Sequence, residues 1–596
     1  MYQAPLKDLR FVLGELLEVG QLTRMQRYQD FSLEIGESVL EESARLAQDV
    51  LAPINRLGDL AGARWQDGAV HMPPEFHTAY RRFVEGGWSL LTADVELGGQ
   101  GAPLVWGSAA DEIGVGANVA FSVCPLLSRS AAEALRAVAS EELQAMLLPR
   151  MISGEWTGTM NLTEPQAGSD LAAIRTRATP DGERFRLRGQ KIFITYGEHD
   201  FTSNIIHLVL ARIEGAPPGI KGISLFAVPK VLIGADGSLG ERNDVHCVSI
   251  EHKLGLHASP TCVMSYGDHA GAVGYLVGEA NHGLQYMFIM MNAARLGVGV
   301  QGVGLSELAL QQARAWANQR IQGRPMGVQG EGPFPIIYHP DVARMLLTMR
   351  ANVEAMRALS LSAALELDRA RGHSAQTQRQ ASLWRGELLI PIVKGWCTEL
   401  AGAMASLAIQ VHGGMGFIEE TGVAQTLRDA RISAIYEGTT AIQANDLLGR
   451  KLGRDQGAAM AALLVDWAAA LDLPAAQATD PVLAGIVAGA LESITLLRHT
   501  TDALLRQAAA LPRAALGVSV PYLMLCGRVL GGVLLARSAV IASRRLAGSA
   551  ADPAFYRAKL QTARFYIEQL LPEALGLVQV VEHGGSSVAE AAPELI

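Results

Sequence analysis

Asn161-Leu162-Thr163-Glu164-Pro165-Gln166-Ala167-Gly168-Ser169-Asp170 marks the point where the texture of the chain changes. Before it, from Leu9 to about Ile152, apolar residues recur at three- and four-residue spacing, as in Phe11-Val12 with Leu16-Leu17 and Leu143 with Met146-Leu147. That spacing predicts helices, interrupted by the loop Glu96 to Pro103. Around and after it come short apolar runs: Trp156 to Leu162, Phe185 to Leu187, Lys191 to Thr195, Ile205 to Ala211, Ile223 to Val228 and Thr261 to Ser265. Clusters such as Ala216-Pro217-Pro218-Gly219 divide them, the pattern of a compact β domain. Helical spacing returns over Leu284 to Asn318, Pro340 to Arg371, Ala375 to Val411 and Gln425 to Leu452, which predicts a four-helix bundle. The Gly/Pro-rich stretch Arg320 to His339 reads as an irregular loop. An Ala/Leu-rich segment then runs to about Leu577, punctuated by Pro474, Pro481, Pro512, Pro521 and Pro553. The expected fold is mainly α with a central β domain: N-terminal extension 1–40, helical N-terminal domain 41–155, middle β domain 156–280, helical bundle 281–453 and an extra helical C-terminal domain 454–596.

Composition narrows the function classes. With 596 residues, 49% hydrophobic and 18% charged, the chain should form several packed units. A net charge of −9 argues against a nucleic-acid surface. The five cysteines are scattered without a C-x-x-C pair, so neither a disulfide framework nor a zinc knuckle is suggested, and a cytoplasmic location is expected. The opening Met1 to Asp8 carries an early acid and no continuous apolar core, unlike a secretory signal. Ala514 to Ala542 is apolar but broken by Pro521 and charged at Arg528 and Arg537, which reads as a buried bundle helix; peripheral membrane contact stays open. His246, Cys247, His252, His257 and Cys262 match no common zinc spacing and alternate along a strand, so no metal site is expected.

Four motifs carry chemistry. The T-E-P-x-x-G-S-D loop offers a hydroxyl, a proline-fixed turn and Gly168-Ser169 with free N–H groups, able to bond the polar edge of a planar ring. Glu164 reads as a loop residue. In Gly189 to Thr195, Phe193 and Thr195 lie two apart on a strand and hence on one face. Gln410 to Phe417 ends a long helix with three glycines, where backbone amides can approach a pyrophosphate or the helix can simply be capped. Ile435-Tyr436-Glu437-Gly438-Thr439-Thr440 puts a carboxylate between an aromatic ring and a glycine. The ring excludes water and raises the carboxyl pKa, and Gly438 lets a planar substrate come close, a setting for a base that takes a proton from carbon. A surface glutamate capping a helix would read the same. No G-x-G-x-x-G opens a βαβ unit and no Walker loop is present.

Taken in order with H-K-L-G at His252 to Gly255 and an arginine-bearing helix, these motifs make residues 40 to 450 resemble the acyl-CoA dehydrogenase family of flavoproteins. Tyr2 to Asp8, His339 to Val342 and the helical tail are similar to its larger subgroup that includes 3-methylmercaptopropionyl-CoA dehydrogenases. The resemblance implies a helical N-terminal domain, a middle β-barrel and a helical bundle, with FAD between them and across a subunit boundary. By motif, Leu162 and Thr163 would hold the flavin pyrimidine edge, beside Gly168 and Ser169, while Phe193, Ile194 and Thr195 would meet the ring. Arg320 would meet the pyrophosphate, Gln410, Gly413 and Gly414 the FAD of the neighbouring subunit, and Thr439 and Gln443 would complete the cofactor site. For the acyl-CoA, Ser169 would touch pantetheine, Asn292 and Arg295 its amide or phosphates, and Tyr436 and Gly438 would flank the thioester. Phe193 stands where many relatives have Trp, Asn292 where they have Asp, and Arg320-Ile321-Gln322-Gly323-Arg324 lacks the Phe of R-x-x-F-G.

The implied reaction is α,β-dehydrogenation to a trans-2-enoyl-CoA, with Glu437 as base, because Asn292 to Arg295, where some relatives place it, holds no carboxylate. The resemblance also implies an electron-transfer flavoprotein as partner and a homodimer or tetramer. Two alternatives are an acyl-CoA oxidase and a DNA-associated flavoprotein of the same fold. The balanced charges after Gly453 speak against the second. The acyl group is left open, a methylthio-propionyl thioester included.

Overall fold

The computed structural model describes residues 2–327, 329–472, 480–548 and 550–595, so Pro474 lies outside the described residues. Backbone contacts divide the chain into two compact units, one formed by Arg45–Ala102 and Ala117–Gly297, the other by Tyr2–Ala44, Pro103–Gly116 and Val298–Ile596.

In the first unit, helices Ala52–Ala61, Pro74–Glu85 and Glu141–Ser153 accompany a sheet that curls on itself. Strand order is Val245–Ile250, Thr261–Tyr266, Arg184–Thr195, Ala272–Leu276, Ile223–Pro229, Asn204–Ile213 and Trp156–Asn161, and Arg177–Asp181 pairs with both Arg184–Thr195 and Asn204–Ile213. Long apolar strands such as Ile223–Pro229, buried at every residue, supply the core. Two features differ from the sequence expectation. A hairpin, Arg64–Gln66 with Ala69–His71, sits inside the region read as all helical. Its turn, Asp67-Gly68 with both φ values positive, is the Asp-Gly signal of a tight hairpin, which the helical spacing on either side masked. The runs Phe185 to Leu187 and Lys191 to Thr195 form one strand, Arg184–Thr195, with a register shift against Thr261–Tyr266.

In the second unit, helices Pro340–Gly372, Gln376–His412 and Ser519–Ala547 pack around Trp396, which is fully buried. Gly527 admits it: a Cβ there would lie 2.2 Å from the indole. The tract read as a bundle helix is thus core, and 78% of its most apolar window is buried. Five helices among the described residues are long and apolar enough to cross a membrane by composition alone, but in four of them most of that window is buried; Pro481–Ala510 buries 39%. Pro481, Pro512 and Pro553 each open a helix, the position where a missing N–H costs nothing. The N-terminal extension joins the tail: Lys559 binds Asp8 and, at 3.1 Å, Glu354, while Arg357 reaches Glu112 at 2.6 Å and Glu307 at 2.8 Å. The expected helix Gln425 to Leu452 is broken into Val423–Arg431, a turn Ile432–Ala434, an open loop and Thr440–Asp446. The stretch Arg320 to His339 also has some order, with a bridge between Ile321 and Pro335.

Candidate functional site

The candidate residues fall into both units, and each group has its own geometry. In the first unit, strand Trp156–Asn161 runs into the T-E-P-x-x-G-S-D loop. Backbone bonds between Glu164 and Ala167 (3.0 and 2.9 Å) make its turn. The Glu164 carboxylate, 3% exposed, accepts from Arg175 N (2.6 Å), Thr176 N (3.0 Å), Thr176 Oγ1 (2.6 Å), Gln166 Nε2 (2.7 Å) and Lys191 Nζ (2.9 Å). Burial alone would raise its pKa, but the Lys191 ammonium and these donors hold it at about 2. Burial pulls fully enclosed Lys191 the other way, down to about 8. Lys191 also donates to Leu162 O at 2.9 Å, so it fixes the loop at two points. The sequence reading missed this lysine, which follows Arg184, Arg186 and Arg188 in the same strand and is the one of the four that is fully buried.

Phe193 is 59% exposed and has φ +60, a left-handed conformation inside a strand. The irregularity explains why Lys191 and Ile194, three residues apart, are both buried: a bulge interrupts the two-residue alternation on which the same-face argument relied. Thr195 still lies on the more exposed side with Phe193. The hydroxyls of Thr163, Ser169 and Thr195 have no hydrogen-bond partner among the described residues. Gly168 and Ser169 are exposed, and Asp170 caps the turn Leu171–Ala173. Asn292 is half-buried, whereas Arg295 is 1% exposed, with Nη1 3.5 Å from Asn292 Oδ1 and its guanidinium 5.9 Å from the Phe288 ring. Arg295 therefore braces Asn292 more directly than it presents charge to solvent.

In the second unit, the loop Ile435 to Thr439 holds Glu437, half-buried and at φ +56, followed by Gly438 at φ +91. Two consecutive left-handed residues are unusual, and only the second is a glycine. A Cβ at Gly438 would stand 2.8 Å from Gln443 Nε2. Donors grip the backbone of this loop. Lys394 Nζ bonds to Gly438 O at 2.6 Å, and Gln443 Nε2 reaches Glu437 O at 3.3 Å and Gly438 O at 3.2 Å. Thr439 caps the next helix by accepting from Ile442 N. The Tyr436 hydroxyl donates to Gln301, and burial, then the Glu437 charge, raises its pKa. Lys394, fully buried, was also missed; it is the single charge in Leu388 to Cys397. Gln410, Gly413 and Gly414 are exposed at the end of helix Gln376–His412, beside Met415 (48% exposed) and Phe417 (86%). Arg320 is exposed just past helix Gly283–Gln319.

His246, Cys247, His252, His257 and Cys262, for which no metal site was expected, do not come together as one ligand group among the described residues. Among the described residues, His246 instead meets Asp244 and His269, their ligand-type atoms within 4.8 Å of one another. One Asp244 oxygen already accepts the N–H groups of His269 and Gly271, both at 2.9 Å, which gives that carboxylate a turn-holding role.

Four family descriptions match in sequence: "Acyl-CoA dehydrogenase, N-terminal domain" over residues 37–155, "middle domain" over 159–268, "C-terminal domain" over 281–452, and "Acetyl-CoA dehydrogenase C-terminal like" over 458–592. A protein of Ruegeria pomeroyi named 3-methylmercaptopropionyl-CoA dehydrogenase is 47% identical over 96% of both chains. The chain belongs to the acyl-CoA dehydrogenase family. Its fold is that of the family's enzymes. The structure of Caenorhabditis elegans ACDH-11 in complex with C11-CoA superposes with TM-score 0.76 at 19% identity, over 98% of this chain and 95% of that one. An acyl-CoA dehydrogenase complexed with FAD from Bacillus anthracis gives TM-score 0.72 at 19% identity, over 96% and 91%.

The family is FAD-dependent. The residues of this acyl-CoA dehydrogenase fit a flavin: the first unit shows an exposed ring at Phe193 and unused hydroxyls at Thr163 and Thr195. In the second, Gln443 Oε1 is fully buried without a hydrogen-bond partner, an acceptor waiting for a donor.

Proposed function

We propose that this enzyme removes the α- and β-hydrogens of a short acyl-CoA, with Glu437 as the base, to give a trans-2-enoyl-CoA. The single observation that supports it is the Glu437 loop, whose carbonyls are clamped while the carboxylate-bearing residue sits on strained backbone. Strain of this kind persists where surrounding contacts over-determine it. It keeps the Cα that carries the carboxylate in one place, which helps to position a base for proton abstraction from carbon.

When bound, FAD supplies the acceptor for the β-hydrogen and its electron pair. The chain does the rest. Thr163, Leu162 and Thr195 hold the polar edge of the ring and Phe193 its face, with Arg320 and Gln443 at the rest of the cofactor. Tyr436 and Gly438 flank the thioester, and the Glu437 carboxylate takes the α-proton. Exposed Gln410, Gly413 and Gly414, set among apolar Met415 and Phe417, support a second copy of the chain covering this end of the helix. An electron-transfer flavoprotein is the proposed oxidant of the reduced enzyme. Five unpaired cysteines support a reducing, cytoplasmic setting. The 47% relative's name makes 3-methylthiopropionyl-CoA the first substrate to try.

Anaerobic titration of the FAD-loaded protein with acyl-CoAs of increasing length and the methylthio-propionyl thioester tests this. Bleaching of the flavin band is expected with the short thioesters. No bleaching by any of them would end the proposal, and rapid oxygen uptake by the reduced enzyme would replace the flavoprotein partner with oxygen.

A further inference from the structure

A polar cavity lies within the unit that contains the tail, and the proposed chemistry does not use it. It has a volume of about 190 Å³, and its walls come from helices Pro340–Gly372, Gln376–His412, Ala458–Ala469 and Ser519–Ala547 and from the N-terminal extension. Three arginines line it, Arg369, Arg385 and Arg537, against two carboxylates, Glu366 and Asp466. Each carboxylate is paired with its own arginine, Glu366 Oε1 with Arg369 at 2.7 Å and Asp466 with Arg385 at 2.5 Å, while Glu366 Oε2 is buried without a hydrogen-bond partner.

Arg537 is left over. It emerges from the buried helix Ser519–Ala547, and among the described residues its one hydrogen bond runs to Leu16 O at 3.2 Å, with no ion pair. Loss of hydration and then the field of Arg369 disfavour its charge, with Glu18 opposing them. A guanidinium has five N–H donors in a planar fork that matches a carboxylate. Here one donor is used and the residue borders an open cavity. The remaining walls include Trp467, Leu365 and Leu17, which offer nothing to a small inorganic anion but do offer contact to a short hydrocarbon or aromatic group.

We propose that this cavity binds a small monocarboxylic acid, its carboxylate on Arg537 and its apolar body against Trp467 and Leu365. The formal excess of one positive charge at the cavity matches a monoanion. The volume suits a molecule of a few carbons, too small for the CoA moiety of the substrate. Free short-chain acids, the hydrolysis products of acyl thioesters, have this chemistry.

The test is calorimetric titration of the FAD-loaded protein, saturated with a non-reactive acyl-CoA analogue, with butanoate, butanamide and inorganic phosphate. Butanoate is expected to bind saturably and at least tenfold more tightly than either of the others. Arg537→Met should weaken it at least tenfold while the rate of flavin reduction by acyl-CoA stays unchanged. Arg385→Met should also weaken butanoate and serves if Arg537→Met does not fold. No saturable butanoate binding, equal binding of the amide, phosphate binding as tight as butanoate, or undiminished binding in the folded variants would each overturn the proposal.

Discussion

Glu164 and Glu437 sit in short loops, each attended by a fully buried lysine, and the protein treats them in opposite ways. Glu164 is saturated: four donors and the Lys191 ammonium surround it, and its pKa falls to about 2. Such a carboxylate stays ionised and holds a turn, but it has no capacity left to take a proton in a reaction. At Glu437, Lys394 and Gln443 donate to the loop's own carbonyls, so its main chain is fixed as well. The difference between them lies in the backbone: Glu437 stands on left-handed backbone at φ +56 in a loop whose carbonyls are clamped, whereas the turn at Glu164 is held through its carboxylate.

The contrast can be broken most severely at the proposed base. Glu437→Gln should retain the flavin absorbance while turnover falls by about 100- to 10,000-fold, the range a general base contributes; near-normal turnover in a stopped-flow assay would remove Glu437 from the reaction. Lys191→Met strands the Glu164 charge in a buried loop and should cost about 3–5 kcal/mol of stability, read from the urea midpoint. By contrast, Lys394→Met should act on rate: we expect kcat to drop by up to about 100-fold with KM for acyl-CoA little changed, because the loop backbone loses its anchor. A variant that loses stability while its kcat stays normal would make Lys394 merely structural. Gly438→Ala should cost about 1–2 kcal/mol from left-handed strain alone and push against Gln443, with kcat following.

The smallest effect concerns a third carboxylate, Asp368, which accepts Leu104 N at 2.7 Å, Val105 N at 2.8 Å and the Tyr28 hydroxyl at 3.1 Å. Burial outweighs these donors and raises its pKa to about 6. A raised folded-state pKa means that its favourable contribution is complete below the usual carboxylate range near pH 3.8 and is lost as pH rises through about 6. Glu164 has the opposite sign: its contribution is present above about pH 4.5 and lost as pH falls toward 2. Stability of Asp368→Asn relative to the parent should therefore change between pH 4 and 7, and that of Glu164→Gln only below that window. Identical pH profiles for the two variants would refute the contrast.

Much of the fold was legible because long periodic segments have few alternatives. Helices such as Pro340–Gly372 and Gln376–His412 follow the three- and four-residue spacing to within a residue or two. The hairpin at Asp67-Gly68 and the break of Gln425 to Leu452 escaped it, because in both places helical residues on either side dominate the pattern. The candidate site was legible as motifs in order, yet its supports were not. Lys394 is the single charge in an apolar run and Lys191 is one of four basic residues in its strand, and nothing local says that their ammonium groups find a carbonyl 44 or 29 residues away.

The sequence by itself determined the order of helical and β segments, the family and the residue types offered to a flavin and a thioester, because periodicity and turn chemistry are local. Only the tertiary structure decided that Glu164 is held and Glu437 is strained, that Phe193 occupies a bulge, and that Arg537 is left with a single carbonyl. Those outcomes depend on which distant groups share each buried space, and burial, pairing and backbone strain come into being only when the chain has closed on itself.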